Sequence, residues 1–315
     1  MRRSDERGIA LLLTLLVLTL MVALILEFDA EARREYRDAA AFRDNFKATV
    51  LARAAVQAAR GVLQQDLLKD KQTGEFFDAL TDLWAIPITN YAIGDGLLNA
   101  QIEDERGKLN LNDLVTGGTP EDKRKKIFKV KRLFELLQIN PDLVDAIVDW
   151  VDQDEVPEPA GAESLYYQTL RPPYRVANGP LQTFLELRLI KGMTPEILEK
   201  LSKLVTVYPQ ESGGDSKVNV NTADPLVLQA LDARITPSMA AAIVQARPFK
   251  NNNADLDRVS SFEDIGKTIR QLYDIKSDLF LARMTVTVNE VTRNATVVLQ
   301  RNQNGTGTVL YYRVL

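Results

Sequence analysis

The sequence predicts an α+β protein in which one long N-terminal helix lies on an antiparallel sheet and a large helical insertion interrupts that sheet. Three observations carry this. Residues 9–69 contain no proline and one glycine, Gly61. GLLNAQIE at 96–103 and the C-terminal runs RMTVTVNEV, NATVVLQR and GTVLYYRVL alternate apolar and polar with the period of a strand. Residues 108–280, between them, follow mostly helical spacing.

The N-terminal helix comes first. Residues 9–26, IALLLTLLVLTLMVALIL, carry no charge and would span ~27 Å at ~1.5 Å per residue, close to the thickness of a bilayer core. The flanking MRRSDERG holds Arg2, Arg3 and Arg7, which favours a cytoplasmic N-terminus. A cleaved signal peptide is the competing reading. The apolar run is longer than a typical signal core, and no small-x-small site follows it. Instead the chain continues as an amphipathic helix, with Phe46, Val50, Ala54 and Ala58 four apart and Leu51, Ala55 and Val62 on the same broad face. One unbroken helix from about Ile9 to about Lys69 is expected, first in lipid and then packed on a soluble domain.

Composition narrows the chemistry. The chain has no cysteine and no histidine, which removes disulfides, thiolate nucleophiles, imidazole bases and soft-metal sites. Hard cations bound by oxygen remain open. With 39 basic and 43 acidic residues and a net charge of −4, the chain as a whole is a poor nucleic-acid binder.

A short charged leader ending in Gly8, followed by Ile9 and a long uncharged helix, resembles the class III leader of type IV pilins and pseudopilins. The resemblance implies cleavage by a prepilin peptidase between Gly8 and Ile9, methylation of the new terminus, and a pilin-like arrangement of helix on sheet. Most members of that family carry Glu at the fifth mature position; here it is Leu13. A carboxylate in lipid is costly unless it pairs, and in the family it pairs with the amine of the subunit above. A subunit without it resembles the large minor pseudopilin of type II secretion, the general secretion pathway protein K family, which also has a large insertion.

The insertion repeats itself. KLNLND at 108–113 is echoed by KVNVNT at 217–222, and three helix starts share a form: INPDLVDAIVDW, MTPEILEKLSKL and ITPSMAAAIVQA. In each, Asn or Thr stands where an N-cap is wanted and Pro at the first helical position. This predicts a duplicated SAM-like or helix-hairpin-helix-like bundle. It also raises a rival function, because NVNTADPLVLQAL resembles the DNA-binding hairpins of competence proteins. Those use a glycine turn to bring backbone N–H groups to phosphate, whereas the turn here, DARITP, has none. DKRKKIFKVKR at 122–132 is basic, but only Phe128 interrupts it as a stacking aromatic, and it reads as a solvated helix face.

The densest chemistry lies in DWVDQDEVPEPAGAESLYYQTL, residues 149–170, with six carboxylates and no basic residue. Counting from Asp152, Asp154 and Glu163 fall at positions three and twelve of an EF-hand loop, but Val156 and Pro157 at positions five and six exclude a true one. An exposed acidic loop without a ligand is one reading. The other is a hard cation, most plausibly calcium, with Asp149, Asp152, Asp154 and Glu163 as candidate ligands. The family resemblance, through DWVDQDEVPEPAGAE and PYRVANGP, implies calcium in this region. Asn178 and residues 172–174 are expected only to position it, and NNNADLD at 251–257 reads as a polar loop. Six carboxylates on one short loop do not face each other across a cleft as a glycosidase requires, and no enzyme is expected.

The expectations are then a leader (1–8), a transmembrane stretch (9–26), a periplasmic helix with the first strand or strands (27–107), a duplicated helical insertion (108–280) and a C-terminal β-meander (281–315). The resemblance implies a single-pass inner-membrane pseudopilin at the pseudopilus tip. Its implied partners are other minor pseudopilins, the major pseudopilin, prepilin peptidase and the inner-membrane secretion platform. The rival is a membrane-anchored periplasmic DNA-binding protein.

Overall fold

The computed structural model describes residues 3–209, 216–251, 255–259, 262–302 and 307–315. Residues 1–2 of the leader, 252–254 of the Asn/Asp cluster and 303–306 of the NQNGT turn lie outside the described residues.

Helix α1 runs without a break over Arg3–Thr73. From Ile9 to Leu26 its side chains are all exposed, none buried by the rest of the chain. Its second half packs on a sheet through only part of the face that periodicity suggests: Ala55 is buried and Leu51 and Val62 pack beside it, whereas Phe46, Val50, Ala54 and Ala58 stay exposed. Ala48, Ala52, Ala55, Val56, Ala59 and Leu63 are buried, whereas Phe46 is 64% exposed and Val50 46%. The reason is steric. Small side chains let the helix backbone approach a sheet whose own face is already bulky, and the phenylalanines are left on the outer side.

The sheet has five strands: β1 (Ile88–Ile93), β2 (Gly96–Asp104), β7 (Leu279–Val288), β8 (Val291–Arg301) and β9 (Gly307–Val314), in the order β1-β2-β7-β8-β9 and antiparallel throughout. β1, exposed along most of its length, carries no alternation and is not announced by the sequence. RMTVTVNEV contains a turn as well as a strand, because Asn289 takes a left-handed φ of 52° and reverses the chain between Val288 and Val291. Phe280, Ala282, Met284 and Val286 face α1 with Trp84, while Leu279, Leu281 and Val298 join the core of the insertion.

The insertion forms two units, each opened and closed by a short parallel pair. The first runs from β3 (Leu109–Asn110) through α2 (Pro120–Leu136), α3 (Leu143–Val151), α4 (Ser164–Gln168) and α5 (Pro195–Leu201) to β4 (Val205–Thr206), which pairs with β3. The second runs from β5 (Val218–Asn219) through α6 (Pro225–Leu231), α7 (Pro237–Gln245) and α8 (Glu263–Ile269) to β6 (Tyr273–Asp274), which pairs with β5. Thr194 and Thr236 cap α5 and α7 as their Thr-Pro starts require. α3 starts later than INPDL suggests, because Asn140 Oδ1 accepts from Asp142 N and holds Asn140–Asp142 in a turn.

The insertion leaves and rejoins the sheet at one place. Asp104, at the end of β2, accepts from Ser277 Oγ (2.5 Å), Thr222 Oγ1 (2.5 Å) and Asn219 Nδ2 (2.9 Å). Arg106 pairs with Asp278 at 2.7 Å. Entry, exit and second unit are thereby tied together.

Candidate metal centre in the acidic loop

The acidic loop follows the C-terminus of α3, whose face carries Trp150. Trp150 stacks edge-on with Tyr167 at 5.2 Å, and Tyr167 lies 5.3 Å from Tyr174, giving the loop an aromatic floor. On this floor the chain turns back at Pro157, Pro159 and Gly161. A Cβ on Gly161 would overlap Asp149 Oδ2, so only glycine fits there.

The structure separates the four predicted ligands. Asp152, Asp154 and Glu163 converge, each offering a carboxylate oxygen within 4.8 Å of the others. Asp149 stands outside that group. It is fully buried and accepts the Glu158 N–H at 3.0 Å, so its charge folds the loop. Lys191 holds the same turn from the other side, its Nζ donating to Gly161 O at 2.8 Å and Ala160 O at 3.3 Å.

Four buried oxygens in this region have no hydrogen-bond donor: Asp152 Oδ1, both oxygens of Glu163 and Asn178 Oδ1. Buried oxygens are ordinarily satisfied, so unsatisfied carboxylates that converge on one place are an arrangement for a cation. Burial pushes the Glu163 carboxyl up to about 7, with Asp149 and Asp152 adding to the shift, and burial followed by repulsion from Asp154 pushes Asp152 up to about 6. Burial also raises Asp149. All these donors are hard oxygens, which fits calcium and disfavours soft metals.

Asn178 ties its own segment to the acidic loop. Its φ of 44° is left-handed, its Nδ2 donates to Glu155 Oε1 at 2.9 Å, and its Oδ1 is buried without a donor. The Asn-Gly pair at 178–179 is the available signal, since asparagine tolerates that conformation.

The features behind the rival reading are otherwise engaged. Lys126 is buried and donates to Thr116 O and Gly117 O, Lys131 pairs with Asp145 at 2.6 Å, and Arg132 donates to Gln229 O in the second unit. In the turn between α6 and α7, Asp232 already takes the Arg234 N–H and guanidinium, both at 2.9 Å, where a phosphate grip would be needed.

Comparison with known proteins agrees with this architecture. Two family models, both described as type II secretion system protein K, match residues 107–210 and 218–276, one for each unit of the insertion. Type II secretion system protein K of Klebsiella pneumoniae is 30% identical, over 96% of this chain and 95% of that protein. Its counterpart from Pseudomonas aeruginosa is also 30% identical, over 96% and 91%. Among solved structures, a chain in the crystal structure of the GspK-GspI-GspJ complex from enterotoxigenic Escherichia coli superimposes with a TM-score of 0.69 at 21% identity, over 91% of this chain and 99% of that one. By sequence over nearly its whole length, the chain belongs to the type II secretion system protein K family.

Proposed function

We propose that this protein is the minor pseudopilin at the tip of the type II secretion pseudopilus, where it nucleates and caps assembly with other minor pseudopilins. Ile9–Leu26 would anchor it in the inner membrane, with the sheet and both helical units in the periplasm. The observation that carries this reading is a single α1 whose apolar first half has no cover within the chain, joined to a head of two extra helical units. Head-to-tail helix stacking propagates until a subunit blocks it, and such a head supplies the block. Leu13, exposed on an uncharged segment, offers no carboxylate to a subunit above. Phe42 and Phe46, on the outer side of α1, are available to the helices of neighbouring pseudopilins. Gly8 has no atom within 4 Å of where a Cβ would stand, so packing does not require glycine there. This supports its being read by a prepilin peptidase.

Calcium belongs to the same proposal. Asp152, Asp154 and Glu163 would hold it with the Asn178 amide oxygen, and Asp149 and Lys191 would fix the loop around it. The ion would balance like charges that the fold forces together. The test of tip status is Leu13→Glu in a secreting strain. Reduced secretion with normal protein level is expected, and unchanged secretion overturns the tip argument. Calcium is tested by melting the purified protein with and without millimolar calcium. A rise is expected in the wild type and a smaller one in Asp152→Ala; no rise refutes the site.

A further inference from the structure

A second group of acids lies away from the loop, where the end of α1 meets the sheet. Asp66 and Asp70 stand four apart on the buried side of α1, in its last two turns, and Asp78 and Asp82 follow in the connection to β1. All four are more than nine-tenths buried. Oxygens of Asp66, Asp78 and Asp82 lie within 4.8 Å of one another.

One cation faces them. Arg301, the last residue of β8, pairs with Asp66 at 2.8 Å and Asp78 at 2.5 Å, donates to Ser277 O at 2.8 Å, and lies over the Phe280 ring. Because this guanidinium fills the space between Asp66 and Asp78, the group is not laid out as a metal site. The remaining charged neighbours are Lys69 and Lys71 on α1 and buried Asp104 on β2. Lys69 is exposed and Lys71 is already engaged. Asp82 accepts the Ala79 N–H at 2.7 Å and Asp78 the Ser277 N–H at 2.7 Å, but no described group donates to the Asp70 carboxylate.

Three effects act against four full negative charges here. Burial removes water from them, i,i+4 carboxylates repel, and the C-terminal end of a helix disfavours anions. We propose that Asp66, Asp70 and Asp78, gathered around Arg301 with Asp82 beside them, share one proton at neutral pH, and that losing it loosens the last turns of α1 from the sheet. Burial, the largest cause, is opposed by Arg301 at Asp78 and assisted by Asp66 at Asp70; Asp78 is pushed up to about 7 and Asp70 up to about 6. A folded carboxyl raised in this way binds protons that the unfolded chain has already released. The stability it contributes is fully present below the ordinary carboxylate range and is lost as pH rises through 6–7.

The experiment uses the full chain in detergent micelles at pH 5.5 and pH 8, in calcium and in EDTA. Two quantities are read: the melting temperature, and amide exchange over residues 63–73 corrected for intrinsic rates. In the wild type, exchange should be several-fold faster at pH 8. Asp70→Asn imitates the protonated group, so it should raise melting at pH 8 by roughly 2–4 °C and flatten the pH dependence of these amides. Comparing variant with wild type cancels the acidic loop's own titration. An unchanged pH dependence in Asp70→Asn, or lower melting at pH 8, overturns the proposal. So does an effect that appears only in EDTA, which would mean a metal balances the charge. Should Asp70→Asn not fold, Asp82→Asn serves the same test, since it removes a charge that raises Asp66 and Asp70 while its amide oxygen can still accept from Ala79.

Discussion

Asn112 grips Leu181 by both of the latter's backbone groups, its Nδ2 donating to the Leu181 carbonyl at 3.0 Å and its Oδ1 accepting the Leu181 N–H at 2.8 Å. Asn221 does the same to Phe249 in the second unit, at 2.9 and 2.8 Å. Each gripped residue follows a proline, and each asparagine lies in the echoed motif, KLNLND or KVNVNT. The repeated sequence therefore encodes a repeated clamp, which pins the loop after α4 in one unit and after α7 in the other.

Replacing either asparagine by alanine strands a buried N–H and a buried carbonyl. At roughly 1–3 kcal/mol for each of the two unpaired groups, Asn221→Ala should destabilise the protein by about 2–6 kcal/mol in a denaturant titration. Leu228→Met, nearby, volume-conserving and without a polar role, should change it by less than about 1.5 kcal/mol.

Gly161→Ala should damage the acidic loop without touching any carboxylate. The added methyl group displaces Asp149, which otherwise accepts the Glu158 N–H. Isothermal titration should show calcium binding weakened by at least an order of magnitude, while far-ultraviolet circular dichroism stays helical.

In the proposed calcium site, protons and the ion would compete for the same oxygens. With Glu163 raised to about 7 and Asp152 to about 6, binding of the ion must release protons near neutral pH. Apparent affinity should fall by roughly tenfold per pH unit below 7 for each proton displaced. Titrations in two buffers of different ionisation enthalpy measure that release; identical heats in both would contradict it.

Gly8→Leu should fold normally, since nothing crowds that position, yet leave an uncut precursor visible as a larger band on a gel. Normal cleavage would remove Gly8 from the processing site.

Much of this architecture follows from local rules that a sequence displays. Thr-Pro starts, strand alternation and a long stretch free of proline act over a few residues, and α1, β2, β8, α5 and α7 form where those signals stand. The buried side of α1 was only partly legible: Leu51, Ala55 and Val62 pack as their spacing suggests, but Ala52 and Phe46 compete for a sheet assembled mostly from residues more than two hundred positions away. In the acidic loop, counting charges located the cluster but could not tell Asp149, spent on backbone donors, from Asp152, Asp154 and Glu163, which converge. Lys126 looked solvated because its charge outweighed its phase, yet it shares the inward side of α2 with Val130 and Leu133.

The crossed ties at the base of the insertion, Asp104 with Ser277 and Arg106 with Asp278, have a mechanical consequence. Two helical units hung on flexible tethers would swing, and thrust delivered along α1 would dissipate in that swing. Anchored at both ends and through Asn219, the head is tied to the sheet that carries α1. In the proposed pseudopilus, force applied along α1 would pass through these ties to whatever the head meets.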